Sequence, residues 1–227
     1  MISSIREQRW LLPFSILYGT FVGLPFLAPV SMQSGWEAPA TLIYSVYSFL
    51  CHQLPERSYF LFGPQLSYSL ADIQAVYVNT LDPSVLRQFA GTAQMGWKIA
   101  WSDRMVSMYS SVLPAVWLVA GLGRRLGPLS FAGLLLFAAP MALDGFSHMI
   151  SDLAGIEQGF RQSNLWLQSL TGNVLSPSFY AGNAWGSFNA WMRLITGILF
   201  SFGAVWFAFS YVGIEAGKPV ATKDSAS

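Results

Sequence analysis

Four apolar stretches, each about 20 residues long, constrain this chain more than any other feature. They lie at 10–32, 105–123, 128–149 and 192–214. A hydrocarbon core about 30 Å thick is crossed by about 20 helical residues, so each stretch is long enough to span a membrane. Helices are the expected form, because four isolated strands could not close a barrel. The sequence therefore predicts an all-α, polytopic transmembrane bundle in one domain, 1–217.

The composition agrees with this prediction. Charged residues make up 10% of the chain, against about 25% in soluble domains, whose surface requires them. The lipid bilayer is therefore the expected partner. A formal net charge of +1 leaves no basic stripe for phosphates, so nucleic acid is not expected. Cys51 is the only cysteine, which excludes an intramolecular disulfide and an all-cysteine metal cluster.

The positions of the basic residues predict the orientation of the bundle. Cytoplasmic loops carry an excess of lysine and arginine. Six of the twelve fall in three short segments on the side that would hold both termini: Arg6, Arg9, Arg124, Arg125, Lys218 and Lys223. We therefore expect both termini in the cytoplasm, an uncleaved first span, and a disordered polar tail at 218–227.

Two long outer segments, 33–104 and 150–191, are expected to fold as an ordered cap, because structureless loops of that length are uncommon. Within the first, 40–50 is too short to span and predicts a re-entrant or interfacial helix. The pair Asp82-Pro83 is typical of a helix start and predicts a helix near 83–90. The residues after Gly96 are expected to lead directly into the second span. The second segment has a turn-rich centre at 172–178.

The third span supplies the best candidate site residues. Asp144, His148 and Asp152 recur every fourth residue, so they line one face of a helix. An ionisable group inside a membrane helix is costly unless it is paired or neutral, which makes it a candidate for function. This spacing suits coordination of a divalent metal ion, or an acid–base pair tuned by burial. The alternative is a structural hydrogen bond that orients the helix end.

A second group follows the short predicted helix and contains Cys51, His52 and Arg57. A thiolate beside a protonated histidine would be reactive. A buried cysteine without a second thiol favours an inert role instead. The neighbouring Asp103-Arg104 pair predicts an interfacial salt bridge or a helix cap, with a contact to the Asp144 face as the alternative. The only two histidines, His52 and His148, fall on the same predicted side, which points to one shared site.

At these residues the chain resembles the domain of unknown function 2085 family of predicted prokaryotic integral membrane proteins. The matching motifs are Cys51-His52-Gln53-x-Pro55-x-Arg57-Ser58, Ala142-Leu143-Asp144-Gly145, Arg161-x-Ser163-Asn164 and Arg193-x-x-Thr196-Gly197-x-Leu199-Phe200. The resemblance implies a multi-span protein of a prokaryotic plasma membrane and gives weight to Cys51, His52 and Asp144, but it implies no activity. The family usually has a second cysteine beside an Arg-Asp pair, where this chain reads Ser102-Asp103-Arg104. That difference argues against a two-thiol metal site.

The sequence thus predicts a polar site at the extracytoplasmic mouth of the bundle. It would bind a metal ion through His52, His148 and Asp144, or a small polar or lipid ligand with Cys51, Asp103 and Arg57 nearby. The chain has no phosphate loop, nucleophile elbow or zinc-protease motif, so whether it is an enzyme stays open. The alternatives are a non-catalytic accessory subunit that packs against partner subunits in a membrane complex, and a small transporter.

Overall fold

The computed structural model of the protein describes residues 10–122, 125–156 and 158–216. In this part the elements are α1 (Leu11–Gln33), α2 (Glu37–Tyr47), a 3₁₀ turn (Pro55–Arg57), β1 (Ser58–Leu61), α3 (Leu70–Val76), α4 (Pro83–Leu86), β2 (Gly91–Thr92), β3 (Gly96–Ser102), α5 (Asp103–Leu122), α6 (Phe131–Asp152), α7 (Phe160–Ser163), α8 (Leu165–Leu170), α9 (Pro177–Tyr180) and α10 (Phe188–Ala216). The predicted tail at 218–227 lies outside the described residues, as do five of the six basic residues on which the orientation rests: Arg6, Arg9, Arg124, Lys218 and Lys223.

The four predicted spans are confirmed as helices. In the described part of the chain, α1, α5, α6 and α10 are long and apolar enough to cross a membrane. Their outward faces are rich in exposed leucine, isoleucine and phenylalanine side chains, such as Leu17, Leu136 and Leu143. A bundle that was solvated by water would not expose so many large apolar side chains, whereas lipid tails solvate them well.

Helix α10 is the central element of the bundle. It packs along both α5 and α6, whereas α5 and α6 make at most marginal contact with each other. Two glycines of α10 permit this approach. A Cβ atom at Gly197 would overlap the Ser107 hydroxyl of α5, and one at Gly203 would overlap the Phe137 side chain of α6. Small residues at helix contacts are the usual means of close packing in membrane bundles.

The N-terminal part of α1 packs against α5, and the rest of α1 packs against β3 and α2. Trp101 of β3 is fully buried at this junction. Its ring stacks on Tyr109, with ring centroids 4.8 Å apart, and meets Phe21 edge-on. These aromatic contacts therefore hold the part of the chain outside the four long helices against the bundle.

The all-α prediction is wrong for 58–61, 91–92 and 96–102, where three antiparallel strands form a small sheet in the order β1-β3-β2. Gly96–Ser102 does not lead into the second span as a helix; it is the central strand, and α5 begins only at Asp103. The strand is buried along almost its whole length, so it lacks the alternation that marks a half-exposed strand. A short apolar run of this kind cannot be distinguished from a helix by periodicity alone.

The cap is ordered, as predicted. The short helix expected at 40–50 is α2, which folds back along α1 so that the Tyr47 hydroxyl donates to the Phe21 carbonyl. The Asp82 carboxylate caps α4, although this helix ends at Leu86 rather than near 90. The second outer segment contains α7, α8 and α9, and a turn at Gly172 and Asn173, both with positive φ.

Candidate functional site

The candidate site lies where α5 begins, α6 ends and α10 begins. Four arginines meet three aspartates there, and we call this group the arginine cluster: Arg57, Arg104, Arg161, Arg193, Asp103, Asp144 and Asp152. The residues come from three long helices, the 3₁₀ turn and α7, so the cluster joins parts of the chain that are far apart in sequence.

Asp144 has the most buried side chain of the three aspartates. Its side chain is only 2% exposed and accepts hydrogen bonds from Arg104 at 2.7 Å and Arg161 at 2.5 Å. The Arg161 guanidinium also donates to His148 Nε2 at 3.1 Å. A guanidinium is always a donor, so Nε2 of His148 must accept and its proton must sit on Nδ1. The Asp144 carboxylate is thus shared by two guanidiniums, those of Arg104 and Arg161.

The other two aspartates each bind one arginine. Asp103, the first residue of α5, accepts from Arg193 Nε at 2.9 and 2.8 Å, and Asn183 takes two further N–H groups of the same guanidinium. Asp152, at the end of α6, forms a bidentate pair with Arg57 at 2.8 and 2.7 Å. Bidentate pairing of this kind fixes geometry as well as charge.

The residues around Arg57 hold its loop against the sheet. The Cys51 sulfur accepts the backbone N–H groups of Gln53, at 3.4 Å, and Ser102, at 3.3 Å. The Gln53 amide bridges the carbonyls of Tyr44 and Ala100. Cys51 is buried, and its contacts are those of a structural residue. They favour the inert interpretation of this thiol.

A buried lysine also holds the loop before Arg57 in place. The Lys98 ammonium of β3 donates to the carbonyls of Gln53, at 2.9 Å, and Arg87, at 2.6 Å. Burial lowers the pKa of Lys98 to about 7, although the charge of Glu56 acts in the opposite direction. Lys98 therefore ties the loop before Arg57 to the segment after α4.

His52 lies at the edge of the arginine cluster. Its Nδ1 accepts the Leu54 N–H at 3.1 Å, so the neutral ring carries its proton on Nε2. The ring forms part of a cavity wall, where it keeps accessible area but loses much of its bulk hydration. This desolvation, followed by the positive charge of Arg57, lowers the pKa of His52 to about 4. The imidazole is therefore neutral at pH 7, with an N–H available as a donor.

A cavity of about 500 Å³ opens beside the arginine cluster. Polar and charged groups form one part of its wall, including His52, Arg57, Arg104, Arg193, Asp103 and Asp152. The apolar part consists of Met105, Met149 and Leu153, and Gly145 and His148 also line it. Its volume falls in the usual range for small-molecule sites, about 300–1,000 Å³. The arrangement offers a positively charged wall beside an apolar one.

The structure brings most of the residues that were singled out from the sequence to one place. His52, Arg57, Asp103 and His148 line the cavity, and Asp144 lies directly behind Arg104. Cys51 does not reach it. The Asp103-Arg104 pair is not an isolated interfacial salt bridge, because each side chain binds a partner on another helix.

Three arginines of the site were not predicted from the sequence to bind a ligand: Arg104, Arg161 and Arg193. A signal existed for Arg193, which lies within the fourth predicted span, where an unpaired cation is as costly as the carboxylate of Asp144. Arg161 lies in the short helix α7, and nothing in its spacing connects it to α6.

The metal ion expected at His52, His148 and Asp144 stays a prediction. Within 10–122, 125–156 and 158–216, no group of three or more His, Cys, Asp or Glu side chains is placed to hold a metal ion. One nitrogen of each histidine already accepts an N–H, and Asp144 is bracketed by two cations. A cation would therefore meet a region in which four guanidiniums face three aspartates.

Comparison with known proteins gives a limited result. The chain is 36% identical over 80 residues to the uncharacterised protein MJ1492 of Methanocaldococcus jannaschii. The alignment covers 35% of this chain, and it spans about half, 51%, of that protein. No family model matches the chain, so the resemblance to the domain of unknown function 2085 family stays a prediction. No solved structure matches it either.

Proposed function

We propose that the protein is a multi-pass protein of a prokaryotic cytoplasmic membrane that binds a small anionic ligand at the arginine cluster. Both termini would lie in the cytoplasm and the cavity on the outer side. The four long apolar helices and their exposed leucine-rich faces support the membrane location. The cavity and its guanidiniums support the ligand class.

Arg104 is the observation that carries this proposal. In the described part of the chain, a single side-chain N–H group of Arg104 has a protein partner, the one that binds Asp144. A guanidinium has five N–H donors. The remaining donors of Arg104 belong to a side chain that lines the cavity. A phosphate or carboxylate is the group that such a planar set of donors matches best.

Two further features favour an anion. Arg104 and Arg161 share one carboxylate, so the cluster holds four guanidiniums against three aspartates. The Glu56 carboxylate lies 4.0 Å from Arg57 Nε at the edge of the cluster but is not part of the cavity wall, where three guanidiniums, Arg57, Arg104 and Arg193, meet the carboxylates of Asp103 and Asp152. The neutral His52 ring contributes an Nε2–H donor to the same cavity. A divalent cation, the other ligand expected from the sequence, would meet more guanidiniums than carboxylates in this wall, which disfavours it.

The test is a calorimetric titration of the detergent-solubilised protein with inorganic phosphate, comparing wild type with Arg104→Gln. We expect Arg104→Gln to weaken phosphate binding about tenfold or more, the scale of a lost charged hydrogen bond. Arg125→Gln is the matched control, since it removes the same charge from an exposed position at the other end of the bundle. The absence of phosphate binding by the wild type, or equal binding by Arg104→Gln, would overturn the proposal.

Three other measurements separate the alternatives. A stoichiometric metal ion found by elemental analysis of the purified protein would favour the metal-binding hypothesis. A stable, stoichiometric partner after purification would favour the accessory-subunit role instead. An alkaline phosphatase fused to the C-terminus should be inactive, because this terminus is proposed to lie in the cytoplasm; an active fusion would reverse the orientation.

A further inference from the structure

The apolar wall of the cavity narrows the identity of the ligand, on the assumption that the anion site just proposed is real. The cavity is bordered by the start of α5 and the end of α6. These helices both pack on α10 but make at most marginal contact with each other. The bundle is thus open between them, on the side where it would meet lipid.

The residues in this opening are apolar and outward-facing. Met149 is 56% exposed and Leu153 is 82% exposed, and both line the cavity together with Met105. Methionine side chains are flexible and adapt to irregular apolar partners. Gly145 adds no side chain to the α6 side of the gap, and a Cβ there would lie only 3.2 Å from the Arg104 guanidinium.

The size of the cavity also favours a ligand that has an apolar portion. A volume of about 500 Å³ is many times that of one water molecule, which occupies about 30 Å³ in the liquid. A bare phosphate, which is only a few times larger than a water, would leave most of the apolar wall without a partner. A ligand that fills the cavity needs both an anionic group for Arg104 and an apolar portion for Met105, Met149 and Leu153.

We infer that the ligand is a membrane lipid with an anionic phosphate headgroup, which enters sideways between α5 and α6. The phosphate binds at Arg104 and His52, and the first part of an acyl chain lies along Met149 and Leu153. This geometry lets the lipid keep its remaining chain in the bilayer while its headgroup reaches the arginine cluster.

Native mass spectrometry of the detergent-solubilised protein tests this inference with three probes: dioleoyl phosphatidic acid, dioleoyl phosphatidylcholine and sn-glycerol 3-phosphate. We expect phosphatidic acid to bind about tenfold or more tighter than either of the other two. Met149→Trp should fill the apolar wall and weaken phosphatidic acid binding about tenfold more than it weakens glycerol phosphate binding. Leu136→Trp is the control, since it places the same bulk on an exposed position of α6 away from the cavity.

The outcomes distinguish this inference from the anion site on which it rests. If glycerol phosphate binds as tightly as phosphatidic acid, the anion site stands and the lipid is wrong. Equal binding of phosphatidylcholine, or unchanged lipid binding in Met149→Trp, also overturns the lipid inference. If no phosphate compound binds at all, the proposed function fails with it.

Discussion

Replacement of Asp144 by asparagine is the most informative single perturbation of this protein. The change removes the charge that holds Arg104 and Arg161, at 2.7 and 2.5 Å, while keeping the size of the side chain. The asparagine oxygen can accept from one guanidinium, but its amide then faces the other. Loss of one partner in a buried ionic network costs about 3–5 kcal/mol, because the remaining charges are left without compensation. We expect a loss of that size in the free energy of unfolding.

The assay is a reversible denaturation of the detergent-solubilised protein, followed by circular dichroism. Asp152→Asn is the matched control, since its side chain is 34% exposed and holds one arginine. Water reaches this carboxylate, and the Arg57 that the change leaves behind still has Glu56 at 4.0 Å, so this variant should lose less stability. Equal unfolding of Asp144→Asn and wild type would refute the energetic reasoning. If Asp144→Asn is destabilised but still binds phosphate normally, Asp144 is purely structural.

Three further predictions concern other parts of the molecule. Gly197→Ala should destabilise the bundle by about 1–3 kcal/mol, because its Cβ would overlap Ser107. Gly23→Ala should not destabilise it in this way, because there is open space around Gly23. Thermal unfolding compares the two variants. Cys51 should resist maleimide labelling in the folded protein and react after denaturation, and rapid labelling in the native state would contradict its structural role. The pKa of His52 is about 4 in the folded protein and about 6.5 when unfolded, so the unfolded chain binds more protons between these values. Stability should therefore fall as the pH drops from 6.5 to 4, and a His52→Gln variant with the same pH dependence would count against this assignment.

The sequence predicted the parts of the fold that depend on local composition. Each span could be located from its length and apolar content, and the burial of Asp144 and His148 follows from the cost of facing lipid with a polar side chain. The strand Gly96–Ser102 could not be found in this way, because its partners in β1 are distant in the sequence, as in the Ser58–Ser102 pair.

In the candidate site, too, local spacing predicted some residues but not the pairings between them. The four-residue spacing placed Asp144 and His148 on one face, and both lie in or beside the arginine cluster. The partners of the acids could not be predicted, since Asp103 binds Arg193 across 90 residues and Asp144 binds Arg104 across 40. Such pairings are set by the packing of whole helices, which no local pattern encodes.

The central place of α10 has a consequence for biosynthesis. It follows α1, α5 and α6 in the chain, yet it is the helix on which α5 and α6 both pack. If these helices span a membrane as proposed, α5 and α6 are inserted before α10 and have little contact with each other beyond the Arg104–Asp144 pair. Among the residues that the structure describes, the ion-pair partner of Asp103 is Arg193, which is made later still. Assembly of the arginine cluster is thus coupled to insertion of α10, and a ribosome stalled before this helix would leave the earlier spans without their common partner.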